Sequence, residues 1–255
     1  MNALAVFRAL EERIPTSYSC AWDNDGLMVC TAPEKEISRV LLTLDITDEA
    51  VEYAARHGFD AILSHHPLIF HPLKQVTSPR IALLVRKDIS AMSFHTRLDA
   101  ISGGVNDALA EVFGLTDVIP FGEGGMGRIG TLQLPLSSAA LAGKTAELLS
   151  SPHVRYVEER AECRRLALLG GSGGDFIAAA RAAGADAFLT GEASYHDMMD
   201  VAGGGMTVLT AGHYETEQPV LHVLSAMLRE MDAGIETELF ECSHIRTASA
   251  RLNTL

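Results

Sequence analysis

His65-His66-Pro67 and, far along the chain, Gly212-His213-Tyr214-Glu215-Thr216-Glu217 carry the residue types from which metal centres are built. With Asp99 they supply three imidazoles and two carboxylates. That nitrogen and oxygen set suits Zn, Mn, Fe or a similar divalent ion rather than Ca or a thiolate cluster. Five ligands exceed what one tetrahedral catalytic ion takes from protein, so the set predicts two divalent ions and a dinuclear hydrolase.

The spacing assigns a geometry to each ligand. Successive side chains on a strand diverge, and Pro67 stops the strand, so His65 and His66 at a strand end can each reach one of two neighbouring ions. His213 and Glu217 have helical spacing and face the same way in a first helical turn, where a carboxylate could bridge ions ~3.5–4 Å apart. Glu215 then points elsewhere. Asp99 shares a strand side with His95 if the strand runs that far, which makes Asp99 the ligand and His95 an orienting partner or substrate contact. Glu192 is a second such candidate, with His196 four residues later. His71, His153, His222 and His244 show no partner in the sequence, and Ser64 and Ser194 lack the context of a nucleophile elbow. Gly170-Gly171-Ser172-Gly173-Gly174-Asp175 matches no phosphate-binding fingerprint and reads as a tight structural turn.

An internal repeat must position these residues. Arg39-Val40-Leu41-Leu42 and Arg165-Leu166-Ala167-Leu168 open two segments that superpose without a gap. Ala54 to Ser64 lies over Ala180 to Thr190, each copy reading as strand, helix, glycine at the helix end and buried strand. After twelve residues are dropped from the first copy, Met92 meets Met206 and Asp99 falls opposite His213. Shared helix composition is the bland alternative. Against it, the alignment carries proposed ligands to matched strand ends, where open α/β sheets bind their ligands. The expected architecture is α/β: two related lobes, residues 1–125 and 126–255, with the ions in the cleft between them. A helix over residues 3–13, a helix start at Asp48 and a helix through Ala108 to Gly114 fit this frame. The glycine-rich stretch from Phe121 to Gly127 is the candidate linker, and the last helix is free to pack back on the first lobe.

Composition limits the function classes. A chain of 255 residues, 47% hydrophobic, can bury a large core, and a formal net charge of −13 disfavours nucleic-acid and anionic-membrane surfaces. Cys20, Cys30, Cys163 and Cys242 are scattered without a Cys-x-x-Cys pair, which points to reduced thiols. With neither a signal-peptide pattern nor a membrane-length apolar run, the expected compartment is the cytoplasm.

Ser64-His65-His66-Pro67-Leu68-Ile69-Phe70, His95-Thr96-Arg97-Leu98-Asp99, Thr190-Gly191-Glu192 and Gly212 to Glu217 resemble, in this order, the motifs of the dinuclear-metal-centre family of GTP cyclohydrolase I type 2 homologues, also called NIF-three-like. Trp22-Asp23-Asn24-Asp25-Gly26-Leu27 is similar to that family's N-terminal motif. The resemblance covers nearly the whole chain. It implies a two-lobed α/β subunit, a toroidal homohexamer and a pair of divalent ions held by His65, His66, Asp99, His213 and Glu217. The segment around Gly122 to Gly127 leaves no room for the domain that some relatives insert. The implied reaction opens the guanine ring of GTP, releases formate and yields dihydroneopterin triphosphate, with His95 or Glu192 moving protons. No triphosphate cradle is evident, which leaves Arg97, Lys74 and the ions to offset that charge. The alternatives are another two-metal hydrolase, such as a phosphoesterase, and a non-catalytic metal-binding regulatory scaffold.

Overall fold

Two mixed sheets, each covered by helices on both faces, organise the protein; the computed structural model describes residues 1–246. Helix α1 (Ala3–Arg13), capped by the Asn2 side chain, leads to β1 (Gly26–Val29). There follow β2 (Arg39–Thr43), α2 (Asp48–His57), β3 (Ala61–Ser64), α3 (Pro79–Arg86), β4 (Ser90–Ser93), α4 (Thr96–Ala100) and α5 (Val105–Val112). Strands β2, β3 and β4 run parallel, and β1 pairs antiparallel with β4 at the edge. Helix α2 shows why the local sequence folds as it does. The Thr47 hydroxyl accepts from the Ala50 amide, Asp48 and Glu49 occupy the positive first turn, and Gly58 takes the left-handed conformation (φ 70°) that ends the helix.

The second sheet starts with β5 (Thr116–Phe121), β6 (Gly127–Leu136), α6 (Ser138–Leu148) and β7 (Arg155–Val157). It continues through β8 (Cys163–Ser172), α7 (Ile177–Ala182), β9 (Ala187–Glu192), α8 (Tyr195–Met199), β10 (Thr207–Thr210) and α9 (His213–Glu217). Its order is β5-β6-β8-β9-β10-β7, with β8, β9 and β10 parallel. The central strands of both sheets are continuous apolar runs because helices cover both faces. Among the described residues no helix is long and apolar enough to cross a membrane.

The repeat holds down to the backbone register. Val40 pairs with Ala61 as Leu166 pairs with Ala187, and the Asp60 and Asp186 carboxylates accept from matched amides of residues 38–39 and 164–165. Beyond the second strand the sequence superposition is off by three residues. Ala61 faces Ser90 and Ala187 faces Thr207, so α4 matches α9 and the counterpart of His213 is Thr96, with Asp99 opposite Thr216. The dropped segment lies in loops of unequal length, and the Met92 and Met206 match misled the gap.

The expected boundary at residue 125 cuts a hairpin. Strand β5 pairs antiparallel with β6 across the glycine-rich segment, where Gly122 and Gly124 have φ of 79° and 64°. That segment is a turn within the second sheet, not a linker, since glycine serves both purposes. The chain then returns to the first sheet. Helix α10 (Val220–Met231) packs against α1 in the first core, and β11 (Glu236–Leu239) lies parallel to β2 at the sheet edge.

Candidate metal centre

The β3 backbone carries the histidine pair past the end of the strand. The His66 amide still donates to the Leu44 carbonyl at 2.9 Å, so the rings diverge: His65 is fully buried and His66 is half-buried. Asp99 comes from α4, whereas His213 and Glu217 come from α9. His95 is the N-cap of α4, so its relation to Asp99 is one helical turn rather than the shared strand side that the sequence suggested.

The five residues converge on the Glu217 carboxylate. His66 Nε2 lies 3.0 Å and His213 Nε2 3.3 Å from Oε2, while His65 Nε2 lies 3.6 Å from Oε1 and 3.7 Å from Asp99 Oδ1. Two triplets of possible ligands, His65 with Asp99 and His66 with His213, therefore share Glu217, each with its ligating atoms within 4.8 Å of one another. His65 and His66 also form such a group with His95. Glu192 and His213 meet at 3.3 Å, so Glu192 orients the imidazole from behind; His196 is exposed and meets the Tyr195 ring edge-on.

Each histidine is held by its other nitrogen. Nδ1 of His65 faces the Phe94 carbonyl at 3.0 Å, that of His66 the Asp45 carboxylate at 2.9 Å, and that of His213 the Glu192 carboxylate. An oxygen acceptor at Nδ1 keeps the hydrogen there and leaves the Nε2 lone pair facing inward in the neutral ring. His65 Nε2 and Glu217 Oε2 are buried without an aligned hydrogen-bond partner, an expensive arrangement unless something else meets them. A divalent cation would meet them, and the donor set fits one.

Electrostatics of the metal-free cluster point the same way. Burial opposes charge on His66, yet its hydrogen bond to Asp45 and the close approach of the Glu217 carboxylate raise it to about 10. The Glu217 carboxylate close to its Nε2 raises His213 to about 9, and the Asp99 and Glu217 charges overcome burial to raise His65. Burial lifts Asp99 to about 6, whereas Glu217, despite its own burial, is held well below the usual range by the three imidazoles. Protons thus stand in for cations.

Several contributors escaped the sequence reading. Gly171 (φ 66°) forms the floor: a Cβ there would come within 2.3 Å of Glu217 Oε1 and 3.1 Å of His213 Nε2. A Cβ on Gly191 would lie 2.8 Å from His213 Cα, so only glycine lets α9 approach. The glycine run is therefore part of the cluster as well as a turn. Asn106 ties the halves together, with its amide nitrogen donating to the Asp99 carbonyl and its oxygen accepting from the Gly170 amide. Asp23 accepts from the Thr96 amide and hydroxyl and meets His95 Nδ1 at 2.9 Å; these hydrogen bonds outweigh burial and lower its carboxyl to about 2. Arg97 is wholly buried against Asp25, Glu11 and the Ile14 carbonyl. It is therefore structural, and unable to meet a triphosphate as the sequence had allowed.

A family model described as Duf34/NIF3 (NGG1p interacting factor 3) matches residues 1–247. The chain belongs to the NIF3 family. A GTP cyclohydrolase 1 type 2 homolog of Clostridium perfringens is 33% identical over 244 residues, covering 91% of this chain and 93% of that one. Its counterpart in Lactococcus lactis is 32% identical, covering 89% and 91%. Among solved structures, Staphylococcus aureus hypothetical protein SA1388 superposes with a TM-score of 0.88 at 25% identity, over 98% of this chain and 99% of its own. The NIF3 fold thus spans both sheets and the returning α10 and β11.

Proposed function

We propose that the cluster holds two divalent ions, one taken by His65, Asp99 and Glu217 and the other by His66, His213 and Glu217. On this reading the chain is a metal-dependent hydrolase of the GTP cyclohydrolase 1 type 2 kind, opening a flat heterocyclic ring, and assembles as a homohexamer. The observation that carries the proposal is the convergence of three Nε2 atoms on one carboxylate, with every Nδ1 engaged by oxygen. Bound ions of this class polarise carbonyl-like groups and make water nucleophilic near neutral pH.

The chain's own residues supply the rest. With Nδ1 tied to Asp23, His95 presents Nε2 as the atom that takes or returns a proton. Trp22, 62% exposed, and Phe70, 40% exposed, lie 6.0 Å apart, each about 6 Å from the His95 ring. Such a wall stacks a planar ring and does nothing for a simple phosphoester. This favours the ring hydrolase over the phosphoesterase.

The test uses metal-reconstituted protein with GTP and, separately, a chromogenic phosphomonoester. Formate and a fluorescent pterin from GTP, lost in His65→Ala and reduced in Trp22→Ala chiefly through a higher KM, are the expected result. Phosphoester turnover without formate would select the phosphoesterase; loaded protein inert to both would leave the regulatory scaffold.

A further inference from the structure

A second cluster of metal-ligating side chains lies outside this centre. Beyond β11 the chain continues beside β2, with the Phe240 amide donating to the Leu42 carbonyl, and then crosses to the first turn of α2. There Cys242 Sγ lies 3.0 Å from Glu49 Oε2 and 3.3 Å from His244 Nε2, and His244 Nε2 lies 3.1 Å from the same Glu49 oxygen. Residues at opposite ends of the chain thus bring one sulfur, one nitrogen and one oxygen into a closed triangle.

Hydrogen bonds to Glu49 can engage all three atoms but do not account for the 3.3 Å approach of sulfur to nitrogen. The thiol and the imidazole Nε2 bring at most one proton each; if both donate to Glu49, the sulfur to nitrogen side has none. A single cation at the centre serves all three atoms. Tetrahedral zinc with ordinary bond lengths separates sulfur, nitrogen and oxygen ligands by about 3.4–3.6 Å, so the triangle need open by only a few tenths of an ångström. The charges match as well, since a thiolate and a carboxylate neutralise a divalent ion while the imidazole stays neutral.

We propose that Glu49, Cys242 and His244 form a separate site for one zinc-class divalent ion, which clamps the segment after β11 onto the start of α2. The fourth position opens into a cleft lined by Tyr214, Glu241, Ser243 and Arg246. Tyr214 follows His213 directly, so the clamp borders the candidate centre without sharing a ligand with it. The site is independent of the dinuclear reading, because a thiolate marks it and the other cluster contains none.

The experiment adds Co2+ alone to the metal-free full-length protein. The expected result is a near-ultraviolet thiolate-to-cobalt charge-transfer band whose limiting amplitude corresponds to one thiolate-bound cobalt per chain, whatever cobalt the other cluster takes up. Cys242→Ala should abolish it, His244→Ala should weaken cobalt affinity at least about tenfold, and Glu217→Gln should leave it. In parallel, Zn2+ should slow maleimide labelling of Cys242, followed by peptide mass spectrometry, at least about tenfold. Glu49 and His244 are exposed and Cys242 is partly so, and folding of the Cys242 and His244 variants is checked by an unchanged melting curve without metal. Absence of the band, its survival in Cys242→Ala, or an unchanged labelling rate under Zn2+ overturns the proposal.

Discussion

The two copies of the repeat use the same strand, loop and helix frame for different chemistry. The first places two histidines after β3 and a single carboxylate within α4; the second places Gly191 and Glu192 at the end of β9 and both a histidine and a carboxylate on α9. The difference has a steric logic. Glycine at the end of β9 makes room for α9 to bring Glu217 across to the first lobe's histidines. The first lobe contributes two imidazoles and Asp99, the second His213 and the Glu217 carboxylate that both triplets share, so neither half builds the cluster alone.

The largest break in this comparison comes from Glu217, which both triplets share. Glu217→Gln is expected to lower affinity for both ions by more than about 100-fold, beyond the usual cost of losing an orienting group. Elemental analysis after dialysis reads it directly; two ions retained per chain would remove Glu217 from its bridging role.

The next effect separates the lobes. In the metal-free protein, His65→Ala leaves buried Asp99 and Glu217 facing each other without their imidazole, at a cost of about 3–5 kcal/mol. His213 sits nearer the surface, and its loss should cost about 1 kcal/mol or less. Urea unfolding of the two variants sharpens the contrast, and equal costs would contradict the burial asymmetry.

A smaller, graded effect follows from pH. His66 and His213, raised to about 10 and about 9, carry protons at neutrality in the metal-free protein. Their contribution to its stability is fully present below the unfolded value of about 6.5 and is lost as pH rises through about 9 and then about 10. Metal must displace the same protons. Loading should therefore release protons and weaken as pH falls from about 8 to about 6, observed with an indicator dye in weak buffer. Uptake with no proton release would show the histidines already neutral.

The histidine pair, the His213 and Glu217 spacing and the repeat were legible because each is written in adjacent or periodically spaced residues. The structure brings those five side chains together. The contacts of Asp45, Asp23 and Asn106 were not legible, since an acid in a loop or an amide in a first helical turn has no signature until the fold brings it to its partner. The match of Asp99 to His213 failed for a related reason: identical residues at the wrong offset outweighed a register that only strand pairing reveals. Arg97 looked available because its neighbours in sequence are polar, while its true neighbours, Asp25 and Glu11, come from far upstream. His244 seemed isolated until β11 delivered it to Glu49.

The return of the chain to its first sheet has a consequence for synthesis. Arg39 on β2 pairs with Glu236 on β11, so the first sheet gains its last strand only after the whole second lobe has been made. Domains emerging from the ribosome usually fold in order, and contacts of such long sequence separation form late. The early lobe must wait with one edge bare and its α1 face uncovered by α10. A chain halted after α9 would own every residue of the cluster and still lack the packing that holds its two halves in place.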